Sequence, residues 1–589
     1  MSQFMINMIF VAGSFAIYTW IAIWARAKST REFYIAGGEV HPVMNGMATA
    51  ADWLSAASFI SVAGLISVGY VNSSFILGWT GGYVLLATLL APYLRRFGKY
   101  TVPDFVGSRY DSKTARLVAV VCLIMISLTY VIGQMTGAGV AFARFLEVES
   151  STGLIISAVV VFFYAVLGGM KGVTYTQVAQ YIVLILAFTI PAVYLSLQMT
   201  GHFLPQVGFV GEFGSTGQPL LHKLNEVVRD LGFQDYTADV ENKWNMFLFT
   251  LTLMVGTAGL PHVIIRFFTV PKISDARWSA GWALVFIALF YTTAPPLAGM
   301  ARLNLLEAIY PGEGTSEALV YKDAPEWFEK WEHTGLLTFV DKNNDGRIQY
   351  YNDKNTEYAE TTAVERGWEG NELTINNDIL VLAMPEIGNM PGWIVGLMAA
   401  GGIAAALSTA SGLLLAISSA VSHDLIKNTL YPHISDKAEM LAARISMVGA
   451  ICIATWLGIN PPGFAAQTVA LAFGMAASSI FPTLMMGIFF KRINAKGAVA
   501  GMSIGALFTI SYIFMYLGWF FIPGTNNFPN TPAFWIMGIS PLSIGCIGAL
   551  INFIVAISVS YATEEPSEEI QKWLKVFATL NKARHTLIN

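Results

Sequence analysis

The sequence predicts an all-α membrane protein of about 13 transmembrane helices, ten of them arranged as two inverted five-helix repeats. Three observations predict it. Of 589 residues, 55% are hydrophobic and only 12% charged, about half the charged share of ordinary soluble domains. The mean hydropathy is +0.56. Apolar runs of bilayer length recur along the whole chain, and basic residues collect in alternate connections. A net charge of −4 suggests no nucleic-acid role. Cys122, Cys452 and Cys546 all sit in apolar runs; their spacing fits neither a disulfide framework nor a zinc site.

The apolar runs, in order, are 4–25, 44–70, 75–94, 116–143, 152–170, 178–198, 245–265, 279–305, 393–422, 444–458, 465–489, 497–521 and 537–561. The first has no basic stretch before it and is too long for a signal-peptide core, so it reads as a membrane helix. If the spans alternate, Arg26, Lys28 and Arg31 share one side with Arg95, Arg96, Lys99, Arg109, Lys113, Arg116, Lys171, Arg266, Lys272 and Arg277. Lys427, Lys437, Arg444, Lys491, Arg492 and Lys496 fall on that side too. The positive-inside rule makes it cytoplasmic, with the N-terminus outside and the C-terminus inside. No Arg or Lys then lies in the middle of a span. In the tail, Trp573, Phe577 and Leu580 recur at helical spacing, as in a helix lying along the membrane surface.

Two spans read as broken. Asn45-Gly46 opens the second, and Asp52 sits at mid-depth in Ala50-Ala51-Asp52-Trp53-Leu54-Ser55. A carboxyl there is costly and faces a cavity or a partner; it either caps freed amides or acts directly. In the seventh span, Gly256-Thr257-Ala258-Gly259-Leu260-Pro261-His262 interrupts the helix, because Pro removes a donor and Gly lowers the cost of unwinding. The breaks lie five spans apart. Spans 2–6 and 7–11 are then two repeats of odd helix number, hence inverted, with a binding site between the breaks. The boundaries follow: 1–43, first helix and cytoplasmic loop; 44–198, first repeat; 199–243, extracellular loop; 244–305, start of the second repeat; 306–392, extracellular loop; 393–490, rest of the second repeat; 491–563, two peripheral helices; 564–589, cytoplasmic tail.

The stretch Gly401 to Asp424 carries no charge until its last two residues. Ala405, Ser408 and Thr409 stand at i, i+3 and i+4 on one helix face. Two hydroxyls and a carbonyl there suit a small cation, although small residues also serve close helix packing. This helix is the eighth of the ten-helix core, beside the first broken one, so carbonyls around Ala50 and Trp53 can complete an oxygen cage. Such a site uses neutral ligands that do not titrate, which favours sodium over protons.

These residues also carry a resemblance. From about Phe33 to Asn428 the chain resembles the sodium:solute symporters. The motifs are Ala50 to Phe59 (AADWLSAASF), Gly259-Leu260-Pro261-His262 with Arg266-Phe267-Phe268-Thr269-Val270, and Ala405-Ala406-Leu407-Ser408-Thr409 with Ser422-His423-Asp424-Leu425. GLPH, RFFTV and AVSHDL look closest to the acetate and short-monocarboxylate branch. The resemblance implies a LeuT-type fold and a sodium site of Ser408 and Thr409 hydroxyls with Ala405, Ala50 and Trp53 carbonyls. Asp52 would support that site. Ser55, Gly256 and Thr257 are the substrate candidates by proximity to the breaks. The implied activity is sodium-coupled uptake of a short monocarboxylate across the bacterial inner membrane. Some members of this branch work beside a small membrane subunit, which would then be a partner besides solute and lipid. Proline, pantothenate or another organic acid is the alternative solute. A solute sensor acting with a partner is the alternative class, and the short tail argues against it. Nothing reads as a pore filter, and no nucleophile–base pair or phosphate loop suggests an enzyme; His262, His423 and Asp424 read as polar groups at cytoplasmic helix ends.

The 306–392 loop is longer than that branch leads one to expect. Within it, Asp341-Lys342-Asn343-Asn344-Asp345-Gly346-Arg347-Ile348-Gln349 has the spacing of a calcium loop. Asp341, Asn343, Asp345, the Arg347 carbonyl and Gln349 are the candidate ligands, with Gly346 at the sharp turn. Asn352 stands where an EF-hand needs Glu, and a plain polar turn is the competing reading.

Overall fold

The structure, a computed structural model, describes residues 1–97, 101–214, 217–312 and 314–572, without the side chains of 163–167. Lys99 and the surface-helix reading of Trp573, Phe577 and Leu580 lie outside the described residues. Among the described residues the regular structure is mostly helical, with one two-stranded antiparallel sheet, β1 (Leu337–Phe339) and β2 (Leu373–Ile375), in the long 306–392 connection.

The apolar runs become α1 (Gln3–Trp24), then the bent pair α2 (Pro42–Trp53) and α3 (Ala57–Val68) at 61° to each other. After α4 (Tyr70–Phe97) and α5 (Lys113–Leu146) comes α6 (Ser150–Thr200), bent where Gly169 takes φ 61°. A second bent pair, α7 (Lys243–Thr257) and α8 (Pro261–Phe268), turns by 42°. α9 (Ile273–Tyr291) and α10 (Ala294–Ile309) follow, then α11 (Gly392–Leu430), α12 (Asp436–Gly458), α13 (Ala465–Phe489), α14 (Ala495–Leu517) and α15 (Gly545–Tyr561). Among the described residues, nine helices are long and apolar enough to cross a membrane, and each bent pair adds one more. α15 and the stretch Ser150–Phe162 are shorter apolar helices.

The second break has a local cause, and the first is bounded as follows. Pro42 opens α2, where a missing N–H costs nothing, and the helix stops at Leu54, whose ψ of 64° leaves the helical region. In the other pair, Pro261 opens α8 after Gly259 and Leu260 leave the helix. The packing repeats with the halves exchanged. α2 packs on α9, and α7 packs on α4; α5 packs on α13, and α6 on α11. These two exchanged pairs of contacts are what two related repeats require.

α11 lies at the centre: its best membrane-length window is completely buried. Close approach depends on missing side chains. A Cβ on Gly64 would sit 2.0 Å from the Asn377 carbonyl oxygen, and one on Gly82 would sit 2.3 Å from the Met254 oxygen. Main chain is the obstacle at both places, so relief requires moving a helix. Gly64→Ala should cost about 1–3 kcal/mol by overpacking, read as a lower thermal unfolding midpoint in detergent. An unchanged midpoint would show that the α3 contact gives way freely.

Candidate functional site

The site begins with backbone groups left over at the end of α2. The Leu54 N–H still reaches the Ala50 carbonyl at 2.8 Å. The next two donors do not continue the helix. Ser55 N–H turns to the Trp53 oxygen at 2.8 Å, and Ala56 N–H goes to Gln134 Oε1 at 3.0 Å. The carbonyls of Ala51 and Asp52 are thus deprived of their helical partners.

α11 supplies replacements. The Ser408 hydroxyl donates to the Ala51 oxygen at 2.7 Å and to Ala405 at 3.0 Å. The Thr409 hydroxyl donates to the Asp52 oxygen at 2.7 Å. Five oxygens from two helices thus converge in a fully buried spot. Ser408, Thr409 and Ala405 are brought together with the α2 break. The hydroxyls meet Ala51 and Asp52, however, and not the Ala50 and Trp53 carbonyls expected from the sequence. The reason is that α2 stays wound one residue longer: Ala50 keeps its helical bond, and Trp53 accepts from Ser55 and, at 3.4 Å, from the Ser58 hydroxyl.

Asp52 turns its carboxylate away from this cage. Oδ2 accepts from Arg266 Nε at 3.1 Å, and Oδ1 from Gln177 Nε2 at 3.3 Å. Arg266 also donates to Thr174 at 3.0 Å and to the Gln177 side-chain oxygen. Gln177 Nε2 returns to the Ser408 carbonyl at 2.8 Å. Asn45 closes the network, donating to the Arg266 oxygen at 3.0 Å and to Ser279 at 2.7 Å. Gly412 allows the carboxylate its place, since a Cβ there would lie 2.3 Å from Asp52 Oδ1. Arg266 lies two residues from the end of the second broken pair, 0% exposed and paired with Asp52. In the sequence it simply follows the seventh apolar run; its burial comes from a partner across the bundle.

Beyond the α2 break lies a buried aromatic cluster. Trp53 packs edge-on against Tyr83 with centroids 5.2 Å apart. Trp79 and Tyr130 both contact Phe473, each at 5.7 Å, and Tyr130 meets the His262 ring at 5.1 Å. Ser58 and Tyr291 share a hydrogen bond of 2.9 Å. Ser55 is buried beside Tyr130. Several buried polar atoms here have no hydrogen-bond partner: Trp79 Nε1, Tyr83 Oη, Thr257 Oγ1, Gln134 Nε2 and both His262 nitrogens. A buried donor without a partner is costly, so the set is suited to a ligand that brings acceptors. Of the substrate candidates, Ser55 and Thr257 belong to this region. Gly256 lies against the α13 main chain, where a Cβ would come within 2.1 Å of the Phe473 oxygen. His262, read as a helix-end polar group, is instead buried at the second break. Arg266, Gln177, Gln134 and the rings were missed because they come from six other helices; only the mid-helix Thr174/Gln177 pair at i, i+3 offered a local signal.

The calcium-type residues sit elsewhere, between β1 and β2. Asp341, Asn343, Asp345 and Gln349 are gathered in one turn. Asn352 is turned away, its side chain bonded to the Gly232 oxygen at 3.1 Å.

The ion pair makes a sharp expectation. Arg266→Gln leaves a buried carboxylate unpaired and should cost about 3–5 kcal/mol. Asp52→Asn combined with Arg266→Gln should regain much of that. Thermal unfolding of the two single variants and the double variant measures it; a double variant as unstable as the sum of the singles would mean that the pair is not coupled.

Comparison with known proteins places this geometry. The sodium:solute symporter family model matches residues 33–302 and 359–505. An uncharacterized symporter of Cupriavidus necator is 32% identical, over 96% of this chain and 92% of that protein. A monocarboxylic acid transporter of Corynebacterium glutamicum is 29% identical, over 85% of this chain and 82% of its own. In fold, the chain resembles a Na+-coupled sialic acid symporter in a substrate-bound outward-open state. The TM-score is 0.66 at 16% identity, with 95% and 98% of the two chains covered. With most of its helices matched by the family model and a relative this similar along nearly its whole length, this multi-pass membrane chain belongs to the sodium:solute symporter family.

Proposed function

We propose that the chain imports a short-chain monocarboxylate such as acetate together with sodium, by alternating access. The observation that carries the reading is the meeting of the Ser408 and Thr409 hydroxyls with the orphaned carbonyls of the broken α2. Those hydroxyls now donate to carbonyl oxygens. When sodium enters, they turn their protons away, and the same oxygens face the ion. The cage comprises Ser408, Thr409 and the Ala405 carbonyl, with main-chain oxygens from Ala50 to Trp53. Asp52 supports it from behind through Gln177 and the main chain. Its carboxylate is bound to Arg266 and Gln177.

The solute binds at the aromatic cluster. A carboxylate satisfies the free N–H and O–H groups of Trp79, Tyr83 and Thr257, and the short alkyl end meets the rings. Ser55, beside Tyr130, borders the same cluster. The name of the Corynebacterium relative, a monocarboxylic acid transporter, supports this solute class. Sodium ordering the α2 break shapes the cluster at Trp53, so each ligand favours the other's bound state. That linkage is reciprocal. With one sodium per monoanion, no net charge moves, and a tenfold gradient supports accumulation worth ~1.4 kcal/mol. A second sodium would add ~2.3 kcal/mol per 100 mV.

The thirteen-span topology with the N-terminus outside belongs to the same proposal, as does the bacterial inner membrane as its location. The two bent pairs and the two shorter apolar helices support that count. A small membrane subunit is a proposed partner on the strength of the resemblance alone.

In proteoliposomes, labelled acetate uptake should need an inward sodium gradient, and Ser408→Ala/Thr409→Ala should reduce it at least tenfold. Uptake of lactate, propionate or proline in place of acetate would redefine the solute while leaving the ion site standing. Sodium-dependent uptake that survives the double substitution would remove the ion from this cage. Solute binding without labelled-solute counterflow would favour a sensor.

A further inference from the structure

The transport reading leaves one built feature unused: the turn between β1 and β2. Its backbone is set by Asn344 at φ 58° and Gly346 at φ 69°, left-handed values that Asn and Gly accept most readily. Gly346 N–H donates to Asp341 Oδ2 at 3.0 Å, Asp345 N–H to Asn343 Oδ1 at 3.1 Å, and Arg347 N–H to Asp345 Oδ1 at 2.8 Å. The chain therefore winds around the side chains of the first, third and fifth positions.

Two oxygens are left over. Asp341 Oδ1 and Gln349 Oε1 are buried and have no hydrogen-bond partner. Gln349 is 0% exposed, and its amide nitrogen lies 2.6 Å from Asp345 Oδ2, which holds the amide against the cluster. Hydrogen bonds within the turn do not account for these acceptors. Glu372, just before β2 and 2% exposed, takes the N–H groups of Lys342 at 2.7 Å, Asn343 at 3.4 Å and Gln349 at 3.2 Å. Arg347, itself part of the turn, directs its guanidinium to the Ala318 oxygen at 2.7 Å.

We propose that this turn binds one calcium ion through the side chains of Asp341, Asn343, Asp345 and Gln349 and the Arg347 carbonyl, with Glu372 clamping the two ends of the loop. Glu372 replaces the flanking helices and the twelfth-position carboxylate that the sequence lacks. Among the described residues, no three His, Cys, Asp or Glu side chains form a metal cluster. The site thus has two carboxylates and several neutral oxygens, which suits a weak calcium site of ~0.1–1 mM. Magnesium is disfavoured because it demands a small, regular octahedron and keeps its waters. The ion has a structural task. The loop is tied to the 199–243 connection through Asn352 N–H to the Leu231 oxygen at 3.0 Å, Tyr358 to the Asp230 oxygen at 2.7 Å, and the Arg366–Asp230 pair at 3.0 Å. Calcium fixes the turn and, with it, the joint between the two connections.

The test is equilibrium binding of radiolabelled calcium to the purified full-length protein in detergent after chelator treatment. One saturable site is expected, half-filled at ~0.1–1 mM and not displaced by equal magnesium or sodium. Asp345→Asn should weaken it at least tenfold. Gln349→Glu adds a carboxylate and should tighten it several-fold, a gain that misfolding cannot imitate. The proposal fails if wild type shows no saturable binding, if magnesium competes equally, or if neither substitution changes the affinity.

Discussion

A helix broken inside a bilayer leaves carbonyls and amides that water cannot reach, and each must find a partner within the protein. That constraint organises this molecule. The α2 break frees the Ala51 and Asp52 carbonyls, and the hydroxyls of Ser408 and Thr409 take them. It frees the Ala56 amide, and Gln134 takes that. The residues that repair the break come from distant helices, so the repair also fixes how α2, α5 and α11 sit together. A repair made of hydroxyl and carbonyl oxygens is at the same time a set of ligands for a small hard cation. We read the sodium site as this repair put to a second use.

The second broken pair is joined to the first by charge. Asp52 and Arg266 are 1% and 0% exposed, and taking two such ions from water costs more than a simple contact returns. The forked hydrogen bonds to Thr174 and Gln177 make the pairing specific and leave few lone pairs or protons unused. The link ties α2 to α8, and through Gln177 both of these to α6 and α11. The two breaks are therefore joined by one hydrogen-bonded network. That is the mechanical condition for two ligands at separate places to influence each other.

Much of this was legible in the sequence, and the misses are instructive. The Pro–Gly break at 256–262 and the buried Asp52 announced both discontinuities because backbone chemistry is local. Ser408 and Thr409 were legible because helix periodicity puts them on one face. The carbonyl register was not: whether α2 ends at Ala50 or Trp53 depends on Gln134, 78 residues away from Ala56. Arg266 was placed in a connection because hydropathy sees only its neighbours in the chain, while its burial depends on Asp52, Thr174 and Gln177. The aromatic cluster left no motif, since its rings are drawn from α2, α4, α5, α9 and α13. The calcium-type turn was the opposite case. Its spacing was visible, but the clamp came from Glu372, outside any local pattern.

The central claim is that sodium completes the repaired α2 break. The most direct measurement is equilibrium binding of radioactive sodium to the purified protein without solute, for wild type and Thr409→Val, which keeps the side-chain shape and removes one hydroxyl. The account predicts saturable binding in wild type and affinity lowered at least tenfold in the variant, with the thermal midpoint in sodium-free buffer changed little. Equal sodium affinity in the two proteins would contradict it.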